Sequence, residues 1–158
     1  MAKKLIIVTG GLGFIGSNLI ELLLKKKYNV VNIDKVTYSS NFYNTKNFEN
    51  NKKYKFIKCD INNPKIGKIF NKYKPSGIFN LAAETHVDRS IDGPKSFIRS
   101  NILGVFNILE IFRKHYKKNS KTKLIHISST SVYGKQATIV NEDDNTFCLQ
   151  RKSYTLNE

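Results

Sequence analysis

A doubly wound α/β fold on one parallel sheet is the class this sequence predicts. Three observations point to it. Short apolar runs of strand length alternate with longer runs whose apolar residues recur at helical spacing. Three spaced glycines, Gly10, Gly13 and Gly16, sit where the first apolar run gives way to the first amphipathic one. The second apolar run, Asn29-Val30-Val31-Asn32-Ile33, ends on an acid, Asp34.

The elements follow in order. Lys4–Thr9 reads as a buried strand, because Leu5-Ile6-Ile7-Val8 is continuously apolar. Phe14–Lys27 reads as a helix with Ile15, Leu19, Leu22 and Leu23 on one face. Asn29–Asp34 is the second strand. Residues Lys35–Lys53 are polar, Asn-rich and mostly irregular, with a short helix near Thr45–Asn50. Tyr54–Lys58 is the third strand and runs into Cys59-Asp60. Asn63–Tyr73 reads as a helix with Pro64 in its first turn, where a backbone N–H has no intrahelical partner to lose. Pro75, Ser76 and Gly77 break the chain before a fourth strand, Gly77–Leu81.

Ser96–Tyr116 is the longest periodic segment, with Ile98, Ile102, Val105, Leu109 and Phe112 at helical spacing. The basic cluster Arg113-Lys114-His115 closes its last turn. Lys123–Ser128 is the fifth strand. Lys135–Glu158 is polar and shows no clear element. Five strands separated by helices imply a parallel sheet with right-handed crossovers, and the expected spatial order is 3-2-1-4-5. A ligand then sits at the switch point above strands 1 and 4.

The glycine turn has a physical reading. Gly10 lets the chain turn sharply after the strand, Gly13 lets a pyrophosphate approach the backbone, and Gly16 lets helix and strand pack closely. Unpaired N–H groups at the helix start, and the helix dipole, favour a phosphate there. Asp34 lies near the position where an acid hydrogen-bonds a ribose 2′-OH and repels a 2′-phosphate. That favours NAD over NADP, while Lys35 next to it softens the repulsion.

Composition bounds the alternatives. At 158 residues the chain is long enough for one packed domain. No run is long and apolar enough to span a membrane. No signal peptide precedes the first strand, so a cytoplasmic location is expected. Cys59 and Cys148 form no metal or redox motif and fit a reducing compartment. No metal site is expected. The net charge of +15 raises nucleic acid as a partner. The lysines are scattered, as in Lys25-Lys26-Lys27, Lys52-Lys53 and Lys117-Lys118, and the chain is rich in Asn. This reads as a compositional bias, and no specific nucleic acid is expected.

A second motif, Asn80-Leu81-Ala82-Ala83-Glu84-Thr85-His86-Val87-Asp88-Arg89-Ser90-Ile91, follows the fourth strand. It joins Thr9–Gly16, Asn32-Ile33-Asp34-Lys35-Val36-Thr37-Tyr38 and Ser100-Asn101-Ile102-Leu103-Gly104. With these four stretches the chain resembles the nucleotide-sugar branch of the extended short-chain dehydrogenase/reductases. Within that branch it is most similar to dTDP-glucose (or UDP-glucose) 4,6-dehydratases, over roughly Lys4 to Gly134. The resemblance implies a Rossmann-like, NAD-binding domain over residues 1–134 with an incomplete C-terminal half, and an irregular tail over 135–158.

The resemblance also implies roles. Phe14 and Ile15 present backbone to the pyrophosphate. Asp34, Lys35, Val36 and Thr37 surround the adenosine ribose, and Asp60 and Ile61 contact the adenine. Leu81, Ala82, Ala83 and Thr85 line the nicotinamide side, and Ser100 stands near the cofactor. Thr85, His86, Arg89 and Ser129 face the sugar of a nucleotide-diphosphate sugar such as dTDP- or UDP-glucose. The full-length family implies a homodimer. Local readings stand beside these roles: strand-end packing for the two alanines, an N-cap-region histidine at His86, a turn residue at Asp60, and an ion pair between Asp88 and Arg89.

Two departures from the family pattern bear on chemistry. The family's fifth strand ends Ser-Thr-Asp-Glu-Val-Tyr-Gly, where this chain has Ser128-Ser129-Thr130-Ser131-Val132-Tyr133-Gly134. Ser129 keeps the hydroxyl that polarises the sugar 4-oxygen. Thr130 and Ser131 replace the acid and base of the elimination, and neither ionises near neutrality. No Tyr-x-x-x-Lys follows the fifth strand: Tyr133 is followed by Ala137 and Tyr154 by Glu158. Tyr54 and Lys58 match the spacing but lie on a strand. The expectation is an N-terminal portion of such an enzyme that alone binds NAD weakly, if at all, and does not turn over. A sugar epimerase or decarboxylase of the same superfamily, and a non-catalytic NAD-binding protein, remain open alternatives.

Overall fold

A computed structural model describes residues 4–118 and 121–129. Thr130, Ser131 and the expected tail over 135–158 lie outside the described residues. Five strands form one sheet: β1 Leu5–Thr9, β2 Asn29–Asp34, β3 Tyr54–Lys58, β4 Gly77–Asn80 and β5 Lys123–His126. All pairings are parallel, and the order is β3-β2-β1-β4-β5. The order is the one expected for a doubly wound sheet of this type, with the switch point between β1 and β4. The helices are α1 Phe14–Lys25, α2 Lys65–Tyr73, α3 Val87–Asp92, α4 Pro94–Phe97 and α5 Val105–Lys118.

The period-two alternation of the strands divides the core. Ile6, Val8 and Val30 join Ile20, Leu23, Leu24 and Phe48 on one face of the sheet. Ile7, Val31, Ile33 and Ile78 join Ile66, Phe70 and Ile108 on the other. The central strands are therefore covered on both sides, and their sequences read as continuous apolar runs rather than as alternating ones.

Several boundaries differ from the sequence expectation. Helix α1 stops two residues early. Lys27 adopts φ 65°, its N–H donates to Leu24, and the N–H of Tyr28 donates to Leu23. That pair of bonds is a Schellman close with a lysine where glycine is usual. The short helix placed near Thr45–Asn50 is instead a 3₁₀ turn at Phe42–Thr45, with Asn41 capping the N–H of Tyr43. Helix α2 starts at Lys65 with Pro64 as its N-cap. Strands β1, β4 and β5 are each shorter than expected by one or two residues.

The largest difference concerns the long helix expected over Ser96–Tyr116. It is three pieces: α4, a π-helical segment Ile98–Gly104, and α5. Helix α3 was not anticipated, because six residues are too few to show a period. Gly93 and Pro94 separate it from α4, with Pro94 at the first helical position. His115, expected in the basic last turn, is buried edge-on against Phe70.

Candidate functional site

The C-terminal ends of β1, β2 and β4 meet at one place, and the glycine turn lies between them. Gly10 has φ 70°, and a Cβ there would stand 2.8 Å from the backbone nitrogen of Ala82. The turn is thus pressed against the segment that leaves β4. A Cβ on Gly16 would meet the carbonyl of Gly10 and the Cα of Gly11. Close approach of α1 to the turn is what this position demands. Gly13, by contrast, would place a Cβ in open space beyond the Gly10 carbonyl.

Gly13 is also the N-cap of α1, and it offers no side-chain acceptor to the first turn. Phe14 and Ile15 are 80 % and 63 % exposed. The first backbone N–H groups of a helix have no intrahelical partner. Here no capping side chain and no first-turn acid competes for them. A cradle of this kind fits a pyrophosphate.

Asp34 anchors the other side. The residue is 6 % exposed. One carboxylate oxygen accepts from the N–H of Leu12 at 3.1 Å. The other accepts from the N–H of Val36 at 2.8 Å and the hydroxyl of Ser40 at 2.9 Å. A carboxylate has about four acceptor sites, and three donors of the protein, Leu12 N–H, Val36 N–H and Ser40 Oγ, meet this one. Val36, whose N–H meets Asp34, adopts φ 62°. A β-branched residue in that region is strained by about 1–3 kcal/mol.

Val36, Thr37, Lys35, Cys59 and Asp60 line a cavity of about 410 Å³ beside β2 and β3. Asp60 also accepts from the N–H and side-chain amide of Asn62, which is the turn role expected for it locally. Ile61 is buried in the core, so its side chain is not presented to the cavity. Burial is the main cause that pushes the Cys59 thiol above its ordinary value, with the nearby Asp60 charge adding to it.

On the β4 side a polar chain crosses three strands. Thr9 Oγ1 donates to Asn80 Oδ1 at 2.5 Å and accepts from the N–H of Ala82 at 3.2 Å. Asn80 Nδ2 lies 3.1 Å from His126 Nδ1. The three residues are in register on β1, β4 and β5. This chain holds Leu81 and Ala82 against the glycine turn.

Two unforeseen contacts involve Glu84. Its backbone N–H donates to Asn101 Oδ1, and its carbonyl accepts from Asn101 Nδ2, both at 2.8 Å. Its side chain, 8 % exposed, pairs with Lys35 Nζ at 2.8 Å. Lys35 Nζ also donates to Ser100 Oγ at 2.8 Å. The π segment supplies both Ser100 and Asn101, and such segments recur at functional sites.

At the rim, the Arg89 guanidinium lies 3.6 Å from the centre of the Tyr38 ring. His86 meets the same ring edge-on and occupies the N-cap position of α3. Arg89 thus stacks on Tyr38, and the ion pair with Asp88 expected locally is not among those of the described residues. Thr85 and Ser129 are exposed. Glu84, Asn101 and Tyr38 were not singled out from sequence. The one available signal was a carboxylate in a run of small residues, since a buried acid needs a cation. Its identity, 49 residues away, was not legible.

Known proteins resemble the chain in sequence and fold. A dTDP-glucose 4,6-dehydratase of Salmonella typhimurium is 41 % identical over 136 residues, 82 % of this chain and 38 % of the relative. The crystal structure of a dTDP-glucose 4,6-dehydratase from Bacillus anthracis, in complex with NAD, has a TM-score of 0.73 and 32 % identity. That match covers 90 % of this chain and 43 % of the other. A UDP-glucose 4-epimerase from Thermotoga maritima, solved with UDP-glucose, has a TM-score of 0.72 and 30 % identity, covering 85 % and 41 %. The chain therefore spans about two fifths of the length of the proteins it matches. A family description, GDP-mannose 4,6 dehydratase, matches residues 7–155, and on a match that spans almost the whole sequence the chain belongs to that family.

Proposed function

We propose that this chain is the NAD-binding portion of a nucleotide-sugar 4,6-dehydratase acting on dTDP-glucose. The observation that carries the reading is the glycine turn, clasped by Asp34 on one side and by Leu81-Ala82 on the other. NAD, when bound, supplies a hydride acceptor for the sugar and a donor at the end of the cycle. The chain's residues bind and orient. Backbone N–H groups of Phe14 and Ile15 hold the pyrophosphate, Asp34 takes a ribose hydroxyl, and the cavity at Val36, Thr37 and Asp60 takes the adenine end. Leu81, Ala82, Ala83 and Thr85 bound the nicotinamide side. Thr85, His86, Arg89 and Ser129 face the sugar, with Ser129 polarising its 4-oxygen. A cytoplasmic setting and a homodimer belong to the same proposal. The free thiol of Cys59 supports the first. The exposed apolar side chains Ile102, Leu103, Phe106 and Leu109 support the second.

The test is a titration of the purified chain with NAD, followed by an assay on dTDP-glucose. Weak, saturable NAD binding without formation of the 4-keto-6-deoxy sugar is expected, because no Tyr-x-x-x-Lys follows β5. No binding at millimolar NAD overturns the cofactor reading, and product formation overturns the inactivity. A second reading is a UDP-sugar 4-epimerase. The hydroxyl residues Ser129-Thr130-Ser131 favour it, as does the likeness to the Thermotoga maritima epimerase. An extended chain carrying the Tyr/Lys pair, assayed on dTDP-glucose and UDP-glucose, separates the two.

A further inference from the structure

Lys35 stands at a decisive place. It follows the acid of β2 directly and lines the cavity beside Val36 and Thr37. A cation there is what a 2′-phosphate would use as its partner. Yet its ammonium is committed elsewhere. It pairs with Glu84, on the segment that follows β4, and donates to Ser100 on the π segment. Its side chain is 31 % exposed while that of Glu84 is 8 % exposed, so the carboxylate is the buried and fixed member. Asn101 clamps both backbone polar groups of Glu84, which leaves that carboxylate little freedom to follow the lysine elsewhere.

We propose that Glu84 is a positioning residue for cofactor choice: by holding Lys35 in an ion pair, it withholds from a 2′-phosphate the cation that directly follows Asp34 in the chain. The inference rests on reading this cavity as the adenosine end of a dinucleotide site. Selectivity against NADP then has two parts. Asp34 repels the 2′-phosphate, and Lys35 is not free to offset the repulsion. Lys65 and Lys58, the latter in register with Asp34 on β3, also line the cavity, and both are exposed. They are the same in every variant below, so a change in preference isolates Lys35.

The experiment compares the purified chain with Glu84→Gln, Ser100→Ala and the double variant Glu84→Gln/Lys35→Met. Circular dichroism first checks that each is folded. Two quantities are then read. The first is the rate at which Lys35 is acylated by a limiting amine reagent without nucleotide, followed by mass spectrometry. The second is the ratio of Kd for NADP to Kd for NAD, from titrations extended to millimolar nucleotide. Glu84→Gln is expected to speed acylation of Lys35 several-fold with other lysines unchanged. It should lower the ratio by about ten-fold, the scale of one charge-assisted hydrogen bond. The double variant should restore the parent ratio, which a merely structural role for Glu84 would not do. Ser100→Ala, which leaves the ion pair in place, should shift both quantities in the same direction by less. It also carries the test if Glu84→Gln does not fold. An unchanged ratio overturns the proposal, as does a lowered ratio that persists without Lys35. Failure of parent and variants alike to bind either nucleotide overturns the cofactor reading and this inference with it. A nucleotide-binding chain with an unaltered ratio overturns the inference alone.

Discussion

Gly10 and Tyr54 show how single residues answer to their surroundings. Gly10 has both a left-handed φ and a backbone neighbour 2.8 Å from where a Cβ would sit. Left-handed φ alone costs an L-residue about 1–2 kcal/mol, and the collision with Ala82 adds to it. Gly10→Ala is therefore expected to lose roughly 2 kcal/mol or more, read as a lower urea midpoint at unchanged slope. Tyr54 accepts from Asn32 Nδ2 at 2.9 Å. Burial is the main cause that raises its phenol above 10.0; the Asn32 bond opposes the rise and the Asp34 charge adds to it. A raised acid in the folded state means stability that is intact below the unfolded value and lost as pH climbs through the folded one. Tyr54→Phe should cost about 1 kcal/mol at neutral pH and flatten the loss of stability above pH 10. Denaturant titrations across the alkaline range read both effects.

At the scale of elements, helix ends and interruptions carry the information. Helix α1 closes on Lys27 at φ 65°, where glycine has no Cβ to strain. Lys27→Gly is expected to stabilise the chain by about 1 kcal/mol, seen as a higher Tm. The π segment is the other case. Apolar spacing through Ile98, Ile102 and Val105 reads as one helix, and the spacing is real. The π segment carries two contacts with residues outside the helix: Ser100 meets Lys35, and Asn101 meets Glu84. Asn101→Ala removes two hydrogen bonds from one backbone unit. It should cost about 1–3 kcal/mol and speed amide hydrogen exchange at Glu84, measured by NMR. Local periodicity reports which face is apolar, and it is blind to a contact made with a residue far along the chain.

The whole molecule carries a net charge of +15, with its lysines scattered along the chain. Charge of that kind attracts polyanions without recognising them. Retention on a nucleic-acid column should fall steeply with salt and show no preference among sequences of equal length. A sequence preference that survives physiological salt would contradict the compositional reading. On the same scale, the parallel sheet gathers the glycine turn, Asp34 and the segment after Asn80 at one edge, because strands of one direction all deliver their C-terminal ends to one side.

The sequence alone determined the alternation of strands and helices and the glycine turn with its acid, and that turn points to the order 3-2-1-4-5 with its switch point. These depend on periodicity, on breakers and on a local glycine spacing, all short-range rules. The pairing of Lys35 with Glu84, the stacking of Arg89 on Tyr38 and the polar chain from Thr9 to His126 came only from tertiary structure. Each joins residues from different strands or loops, and nothing in the spacing of a linear chain records which side chains folding brings within 3 or 4 Å of one another.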